Sequence, residues 1–332
     1  MTLETEGGPR SATGSPTVLG IVGGGQLGRM LVLAAEELGV ECVALDPEPD
    51  SPAVRAGARG ICASLYDADA LLRLVEGASV TTFEIEATDA EALQRLEALG
   101  HRILPRPATL KLIRDKLSQK EFLHVHGIAT SDFRAMDVPA AEAVRNFGPP
   151  AVQKLRRGGY DGRGVKILHG EGDLDELLDG QSLVEAFVPA ARELAVVGAR
   201  AVTGEIRCYD VVDMTLNPAT NMLDMLTVPA DIPDRVAREA EDLARRTIEA
   251  LDDVGVFAIE LFMTREGTLY VNEVSPRTHN SGHYTIDACE TSQFEQQIRA
   301  VTGMPLGDTA LHRPAAMINS GRRRRLLGAD GG

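Results

Sequence analysis

A strand, a glycine-rich turn and a helix near the N-terminus constrain the fold of this chain more than any other feature. The turn is followed by a helical stretch and then by a second apolar strand; in order, the segments are Val18–Val22, Gly23–Gly28, Arg29–Leu38 and Val40–Leu45. This order predicts a βαβ unit with parallel strands. Helices and strands alternate as far as the predicted strand His101–Leu104, which indicates a parallel α/β domain of roughly a hundred residues.

The pattern changes after this domain. One long helix, Leu110–His126, is predicted to lead into a region where strands come in pairs with helices between them, which is typical of α+β packing. The fold class is therefore α/β plus α+β. The predicted division is a disordered tail over 1–16, a parallel domain over 17–112, a second domain over 113–319 with a subdomain at about 113–187, and a disordered tail over 320–332.

Charge and cysteine content exclude several classes of protein. Acidic residues outnumber basic ones by 49 to 34, so the net charge of -15 argues against a nucleic-acid-binding surface. No apolar run approaches the roughly 20 residues that cross a bilayer. The cysteines contain no CxxC pair, which argues against a zinc site or disulfides and favours a cytoplasmic protein; they are Cys42, Cys62, Cys208 and Cys289.

The first glycine turn fits the pattern G-x-G-x-x-G through Gly23, Gly25 and Gly28, and Asp46 ends the next strand. Such a turn lets the backbone approach a phosphate or carboxylate at a helix N-terminus. Three interpretations remain open from these residues alone: a nicotinamide dinucleotide site, a tight turn without a ligand, or a site for another anion.

A second glycine-rich loop, Arg156–Gly164, lies between two predicted strands. Its backbone N–H groups could cover phosphates, and Lys154 and Lys116 lie nearby in sequence as point charges suited to polyphosphate. The alternative is a solvated turn with surface bases. A Walker motif is excluded because no G-K-[ST] follows the glycines.

Two acidic residues interrupt apolar strands in a predicted hairpin. If Thr264–Gly267 is the turn, Glu260 lies opposite Val271 and Glu273 is its diagonal neighbour on the same face, roughly 5–8 Å away. Close carboxylates repel unless a cation lies between them, and Mg²⁺ prefers a few carboxylates with phosphate and water oxygens. Asn272 could add an oxygen. The alternative is that one acid faces solvent.

A dense polar loop follows this hairpin directly. Within Glu273–His283, Arg277 could hold a phosphate or a transferring carboxyl group, and His279 could donate to a substrate. Each residue has a possible structural role, but their clustering beside two candidate metal ligands favours a functional site.

These motifs together resemble the ATP-grasp superfamily and, within it, the synthases that carboxylate aminoimidazole ribonucleotide. The last of the following segments is highly specific to that family, whereas the first glycine turn is not. The segments are Gly23–Met30, Leu45–Pro47, Phe83–Glu86, Arg157–Gly164, Leu183–Glu185 with Arg192–Glu193, and Asn272–Glu273 through Arg277–His283.

The resemblance implies a Rossmann-like N-terminal domain that binds no dinucleotide, followed by an ATP-grasp domain with a mobile glycine-rich lid. It also implies ATP, Mg²⁺ (with Mn²⁺ as an alternative), bicarbonate, aminoimidazole ribonucleotide and a homodimer. The implied metal ligands are Glu260 and Glu273. The implied ATP-binding residues are Lys116, Lys154, Gly159, Tyr160, Asp161, Gly162, Arg163, Gly164, Val165, Glu185, Ala186, Phe187, Val188, Glu193, Asn272 and Glu273.

The same resemblance implies a site for the ribonucleotide and bicarbonate. The residues implied there are Gly25, Gln26, Leu27, Asp89, Tyr160, Arg277 and His279, and Tyr160, Arg277 and His279 are the implied catalytic residues. The expected reaction phosphorylates bicarbonate with ATP and transfers the carboxyl group to the exocyclic amine of the ribonucleotide, with release of ADP and phosphate.

Two departures from the family keep alternatives open. Leu216 stands about where the family carries a histidine that contacts ATP, and the family continues past Asn319 into a small β-rich domain, so the sequence is expected to be cut short. The alternatives are a truncated, non-catalytic ATP-binding protein, or another ATP-grasp ligase acting on a phosphoribosyl substrate.

Overall fold

The computed structural model describes residues 16–158, 164–216 and 223–319. Five residues of the expected lid, Gly159, Tyr160, Asp161, Gly162 and Arg163, lie outside the described residues. So do residues 1–15 and 320–332, which make up nearly all of the two expected tails.

The N-terminal unit contains a four-stranded parallel sheet with helices on both faces. Its sheet order is β3-β2-β1-β4. The strands are β1 (Val18–Val22), β2 (Glu41–Asp46), β3 (Arg59–Cys62) and β4 (Val80–Phe83), and the helices are α1 (Gln26–Glu37), α2 (Pro52–Arg55), α3 (Ala68–Glu76), α4 (Ala90–Ala98) and α5 (Pro107–Arg114). The central strand β1 and its neighbour β2 are mostly apolar and buried because both faces of the sheet are covered there, as in other parallel sheets.

Two predictions for this region are wrong. His101–Leu104 is not a strand, because only Ile103 pairs, in an isolated bridge to Thr81. The predicted helix Leu110–His126 is two helices, because Asp115 has an extended backbone (φ -100°, ψ 105°) that ends α5 and caps the next helix. The apolar period continues across this break, so the pattern alone does not reveal it.

The middle of the chain forms a small antiparallel sheet, in the order β5-β8-β6-β7. Its elements are α6 (Lys116–Val125), β5 (Phe133–Ala135), α7 (Ala140–Phe147), β6 (Ala151–Leu155), β7 (Val165–Leu168) and β8 (Ser182–Ala186), with a 3-10 turn at Glu171–Glu176. Strands β6 and β7 flank the second glycine-rich loop, as predicted.

The rest of the chain builds a larger antiparallel sheet, in the order β14-β13-β9-β11-β12-β15 with β10 beside β9. Its elements are β9 (Arg192–Arg200), β10 (Ile206–Cys208), β11 (Val212–Leu216), β12 (Leu223–Val228), α8 (Asp234–Leu251), β13 (Gly255–Met263), β14 (Leu269–Ser275), α9 (Thr285–Ala288), α10 (Gln293–Thr302) and β15 (Ala315–Ile318).

Helices cover both faces of this larger sheet. The amphipathic helix α8 packs on one face around Phe257 and Ile259, which are fully buried. Helix α10 packs toward the N-terminal unit, where its Phe294 and Ile298 join the core beneath α1. This shared core fixes the N-terminal sheet against the larger sheet.

The small and large sheets meet along α6 and the segment before β5. Thr130 bridges to Val271 on β14, and the Val271 N–H donates to the Ala129 carbonyl at 2.7 Å. No helix in the described ranges is long and apolar enough to cross a membrane.

Candidate active site

Two carboxylates face each other on the hairpin of β13 and β14. Glu260 pairs directly with Glu273, and the register shifts at the next position, where Leu261 pairs with Val271. The predicted register, in which Glu260 lies opposite Val271, is therefore wrong by two positions: the pairing is already one residue off at Leu261, and the bulged residue Asn272 adds the second. The bulge matters because, without it, the pairing of Leu261 with Val271 would place Glu260 opposite Asn272; with it, the two carboxylates are direct neighbours.

The charged groups around this pair shift the pKa values of the two carboxylates in opposite directions. Burial and the Glu273 and Glu193 carboxylates raise the pKa of Glu260 to about 7. Although burial opposes it, the Lys116 ammonium lowers the pKa of Glu273; their atoms Nζ and Oε1 are 2.6 Å apart. Glu260 thus lacks a strong positive partner of its own.

Both predicted lysines reach this site. Lys116 begins α6, whose first turn is capped by the Asp115 side chain, which accepts from the N–H groups of Leu117 and Ser118. Lys154 extends from β6 in the small sheet, and its Nζ donates to Asn272 Oδ1 at 2.9 Å. The site is therefore assembled from both sheets and the helix between them.

A third lysine, Lys120, lies four residues after Lys116 on the same helix and was not predicted. Its Nζ lies 2.9 Å from Glu185 Oε2, and both side chains are 3 % exposed. The other Glu185 oxygen, Oε1, accepts from Lys154. Lysines therefore engage both carboxylate oxygens of Glu185, and its side chain is buried within the protein.

Strand β8 ends at Ala186, and Phe187 and Val188 begin the segment that connects the two sheets; all three residues are partly buried. On β9, Glu193 pairs with Phe262 and so shares a sheet face with Glu260. Burial raises the pKa of Glu193. Gly164 and Val165 lie beside β6, where the Leu155 N–H donates to the Gly164 carbonyl at 2.8 Å and Val165 pairs with Lys154.

Arg277 and His279 follow β14 and are held in different ways. Arg277 Nε donates to Glu86 Oε1 at 2.8 Å, which ties the loop to the N-terminal unit. His279 Nδ1 accepts from the Ser281 N–H at 3.3 Å, so its Nε2 carries the proton and faces Glu260 Oε1, also at 3.3 Å. Burial and the nearby Arg277 lower the pKa of His279 to about 3, and the ring is therefore neutral at pH 7.

The first glycine turn is occupied by the protein's own carboxylates. Asp46 Oδ2 accepts from the Gly24 N–H at 2.7 Å, and Glu84 Oε1 accepts from the Gly25 N–H at 2.8 Å. A Cβ on Gly25 would lie 2.9 Å from Glu84 Oε1, so the glycine is needed for this contact. The turn therefore lacks two amides that a pyrophosphate would need, and Asp46 is not free to bind a ribose. This disfavours the dinucleotide interpretation.

The other residues predicted for the ribonucleotide lie around the same turn. Gln26 is exposed and Leu27 partly buried in the first turn of α1. Asp89 caps α4, and its Oδ1 accepts from the Ala92 N–H at 2.9 Å. Asp89 thus has a structural role, and its contact with a substrate stays a prediction.

Sequence reasoning missed four polar residues of this region. Lys120 could have been found from its i, i+4 spacing to Lys116 on one helix face. Glu86 lies in a segment that carried the resemblance but was given no role. Glu84 lies in the same segment and was likewise given no role. Asp115 caps α6 locally, but its bond to the distant Arg156 left no local signal.

The residues present fit a magnesium ion that also binds phosphate. The parts of the chain that the structure describes contain no group of three or more His, Cys, Asp or Glu side chains arranged to hold a metal. Two opposed carboxylates, Glu260 and Glu273, with the amide oxygen of Asn272 nearby, match Mg²⁺ sites in which phosphate and water supply the other oxygens. The raised pKa of Glu260 is consistent with a place for a cation.

Comparison with known proteins agrees with this architecture. Residues 17–114 match the ribonucleotide synthetase preATP-grasp domain, and residues 121–294 match the ATP-grasp domain. The fold and the site therefore define an ATP-grasp protein with a ribonucleotide-synthetase N-terminal unit.

Individual relatives specify the family further. The chain is 41% identical to N5-carboxyaminoimidazole ribonucleotide synthase of Synechococcus elongatus over 90% of this chain and 77% of that protein. The synthetase from Thermotoga maritima superposes with a TM-score of 0.85 at 44% identity, covering 91% of this chain and 80% of that one. The Aspergillus clavatus synthase was solved with ADP and 5-aminoimidazole ribonucleotide. It superposes with a TM-score of 0.83 at 30% identity, covering 92% of this chain and 82% of that one. The chain belongs to the N5-carboxyaminoimidazole ribonucleotide synthase family.

Proposed function

We propose that this chain carboxylates 5-aminoimidazole ribonucleotide to N5-carboxyaminoimidazole ribonucleotide, using ATP and bicarbonate and releasing ADP and phosphate, in purine biosynthesis. The observation that carries the proposal is the pair Glu260 and Glu273, which lies against Lys116 and Lys154 where the two sheets meet. Arg277 ties the loop after β14 to the N-terminal unit through Glu86.

In this proposal the γ-phosphoryl group of ATP passes to an oxygen of bicarbonate, and ADP leaves. The carboxyl group then bonds to the exocyclic amine of the ribonucleotide while phosphate leaves and the amine loses a proton. No side-chain nucleophile is needed, so the protein contributes positioning and charge. Mg²⁺ held by Glu260 and Glu273 would neutralise charge on the phosphate oxygens.

Each group of residues has a role in this scheme. Lys116 and Lys154 bind the phosphates of ATP, the backbone of Ala186–Val188 runs along the adenine, and Glu193 accepts from the ribose hydroxyls. Arg277 and His279 line the site where bicarbonate and the amine react, next to the glycine turn that faces the ribonucleotide. His279 Nε2 lies 3.3 Å from Glu260 Oε1, and in this proposal the neutral ring favours one orientation of that carboxylate.

Several further expectations stay predictions from the family resemblance. These are the homodimer, Mn²⁺ in place of Mg²⁺, a cytoplasmic location, and the domain division at about residue 113.

The test is ADP release by the purified chain with Mg-ATP and bicarbonate, measured with and without 5-aminoimidazole ribonucleotide. We expect release that depends on the ribonucleotide and that Glu273→Gln lowers by at least about a hundredfold, because one charged group is lost from the reacting centre. Glu266→Gln is the matched control, since Glu266 is an exposed acid in the turn of the same hairpin. ATP binding without ribonucleotide-dependent release would contradict the proposal and favour a non-catalytic ATP-binding protein.

A further inference from the structure

Two lysines and one glutamate form a buried cluster behind the candidate phosphate site: Lys120, Lys154 and Glu185. We propose that Lys120 is a positioning residue, which never contacts the nucleotide but keeps the Lys154 ammonium available to the phosphates of ATP by sharing Glu185 with it. The inference rests on the proposed function, because it assigns Lys154 to the phosphates.

Lys120 has no donor left for a ligand. Its ammonium has three N–H groups, and three protein oxygens lie within hydrogen-bond distance of Nζ: Thr130 Oγ1 at 2.7 Å, Ser131 Oγ at 2.9 Å and Glu185 Oε2 at 2.9 Å. The side chain is 3 % exposed. Lys120 can therefore act on a nucleotide only through the groups that it binds.

Lys154 is bound differently. Its Nζ donates to Glu185 Oε1 and to Asn272 Oδ1, and among the described residues these two partners leave one of its three N–H groups for a ligand. Asn272 is the bulged residue beside Glu273, so the free donor lies next to the candidate metal site. This arrangement assigns phosphate binding to Lys154 and support to Lys120.

Within this cluster two ammonium groups share a single carboxylate, which leaves one positive charge in excess; the Glu273 carboxylate also acts on the cluster, but it is itself paired with Lys116. An unbalanced charge in a buried site is costly, and an arriving anion relieves that cost. The pKa values agree with this picture. Burial lowers the pKa of Lys120 to about 8 in spite of Glu185, whereas Lys154 and Lys120 lower the pKa of Glu185 to about 2 in spite of burial.

Removing the Lys120 ammonium would leave Glu185 to neutralise Lys154 completely. The positive charge that attracts phosphate would then be lost, although every group of the nucleotide pocket would remain. The neighbouring hydroxyls would keep partners, because Thr130 Oγ1 also donates to the Val271 carbonyl at 2.7 Å and Ser131 Oγ to Glu185 at 3.0 Å. Lys120→Met should consequently fold.

The test compares Lys120→Met with the wild type in the ribonucleotide-dependent assay. We expect the KM for ATP to rise about tenfold, with kcat changed by less than about threefold, because one unit of charge is lost near the phosphates but no reacting group is touched. The factor by which Lys120→Met weakens nucleotide binding should be largest for ATP, smaller for ADP and smallest for AMP. The thermal unfolding midpoint of the free protein should not fall, since a costly buried charge has been removed.

Lys111→Met is the matched control, because Lys111 is a partly exposed lysine on α5 whose Nζ pairs with Glu91; it should leave these values unchanged. Lys120→Gln, which keeps a donor for Glu185 but not the charge, repeats the test if Lys120→Met does not fold. An unchanged KM for ATP, or equal losses for ATP, ADP and AMP, overturns the inference. A wild type that lacks ribonucleotide-dependent turnover refutes the proposed function instead, and the binding series still tests the role of Lys120.

Discussion

Replacing Asp115 should destabilise the folded chain in two ways, through the loss of a helix cap and through the loss of an ion pair, and the two losses can be measured separately. Asp115 is 3 % exposed, caps α6 through two backbone amides, and accepts two bonds from Arg156, at 2.9 Å from Nε and 2.8 Å from Nη2. Loss of a cap costs about 1 kcal/mol. Loss of the ion pair adds about 1–2 kcal/mol, less than for a fully buried pair because Arg156 is 28 % exposed.

Urea denaturation of three variants separates these effects. Asp115→Ala should lower the free energy of unfolding by about 2–3 kcal/mol, and Asp115→Asn, which keeps a capping oxygen, by about 1–2 kcal/mol. Asp67→Ala removes a cap on α3 that has no ion pair in it, and should cost about 1 kcal/mol. If Asp115→Ala costs no more than Asp67→Ala, the ion pair contributes nothing and the reasoning is refuted.

The same pair predicts a pH dependence. Although burial opposes it, the bond from Arg156 lowers the pKa of Asp115 below its usual 3.8. A carboxylate with a lowered pKa in the folded state stabilises the protein above its unfolded pKa, and loses that contribution as the pH falls through the folded value. The difference between wild type and Asp115→Asn should therefore be constant near neutral pH and shrink below pH 3.8. A constant difference at all pH values would contradict this assignment.

Two further predictions concern the reacting side of the site. Glu86→Gln removes the charge that holds Arg277, so kcat should fall about tenfold while the KM for ATP stays within about twofold, as measured by ribonucleotide-dependent ADP release. His279→Ala removes the N–H that orients Glu260, so the affinity for Mn²⁺ as a probe of the metal site should fall about tenfold, as measured by calorimetric titration in the presence of ADP.

Both predictions have matched controls. Glu76→Gln alters an exposed acid on α3 and should leave kcat unchanged. His312→Gln alters another histidine that faces a glutamate, with Nδ1 3.5 Å from Glu290, and should leave Mn²⁺ affinity unchanged. An unaltered kcat in Glu86→Gln would mean that Arg277 needs no partner in the N-terminal unit. Undiminished Mn²⁺ binding in His279→Ala would mean that Glu260 is oriented without the histidine.

The sequence by itself determined the local elements and most of the charged residues of the site. Apolar runs and glycine turns predicted the βαβ unit and the parallel sheet, and two strands around Thr264–Gly267 predicted the β13–β14 hairpin. The two acids in those strands predicted a magnesium site. The family resemblance added the ATP-grasp domain. These inferences worked because strand and helix periods are properties of neighbouring residues, which the sequence lists in order.

Only the tertiary structure decided how these residues meet. The bulge at Asn272 set the direct pairing of Glu260 with Glu273, and Asp115 divided one apolar pattern into two helices. The burial of Lys120 against Glu185 brings together residues far apart in the chain. The bulge, the ion pair between the capping Asp115 and the distant Arg156, and the shared Glu185 carboxylate all depend on which segments pack together. That choice is made by the free energy of the whole fold and leaves no period in the local sequence.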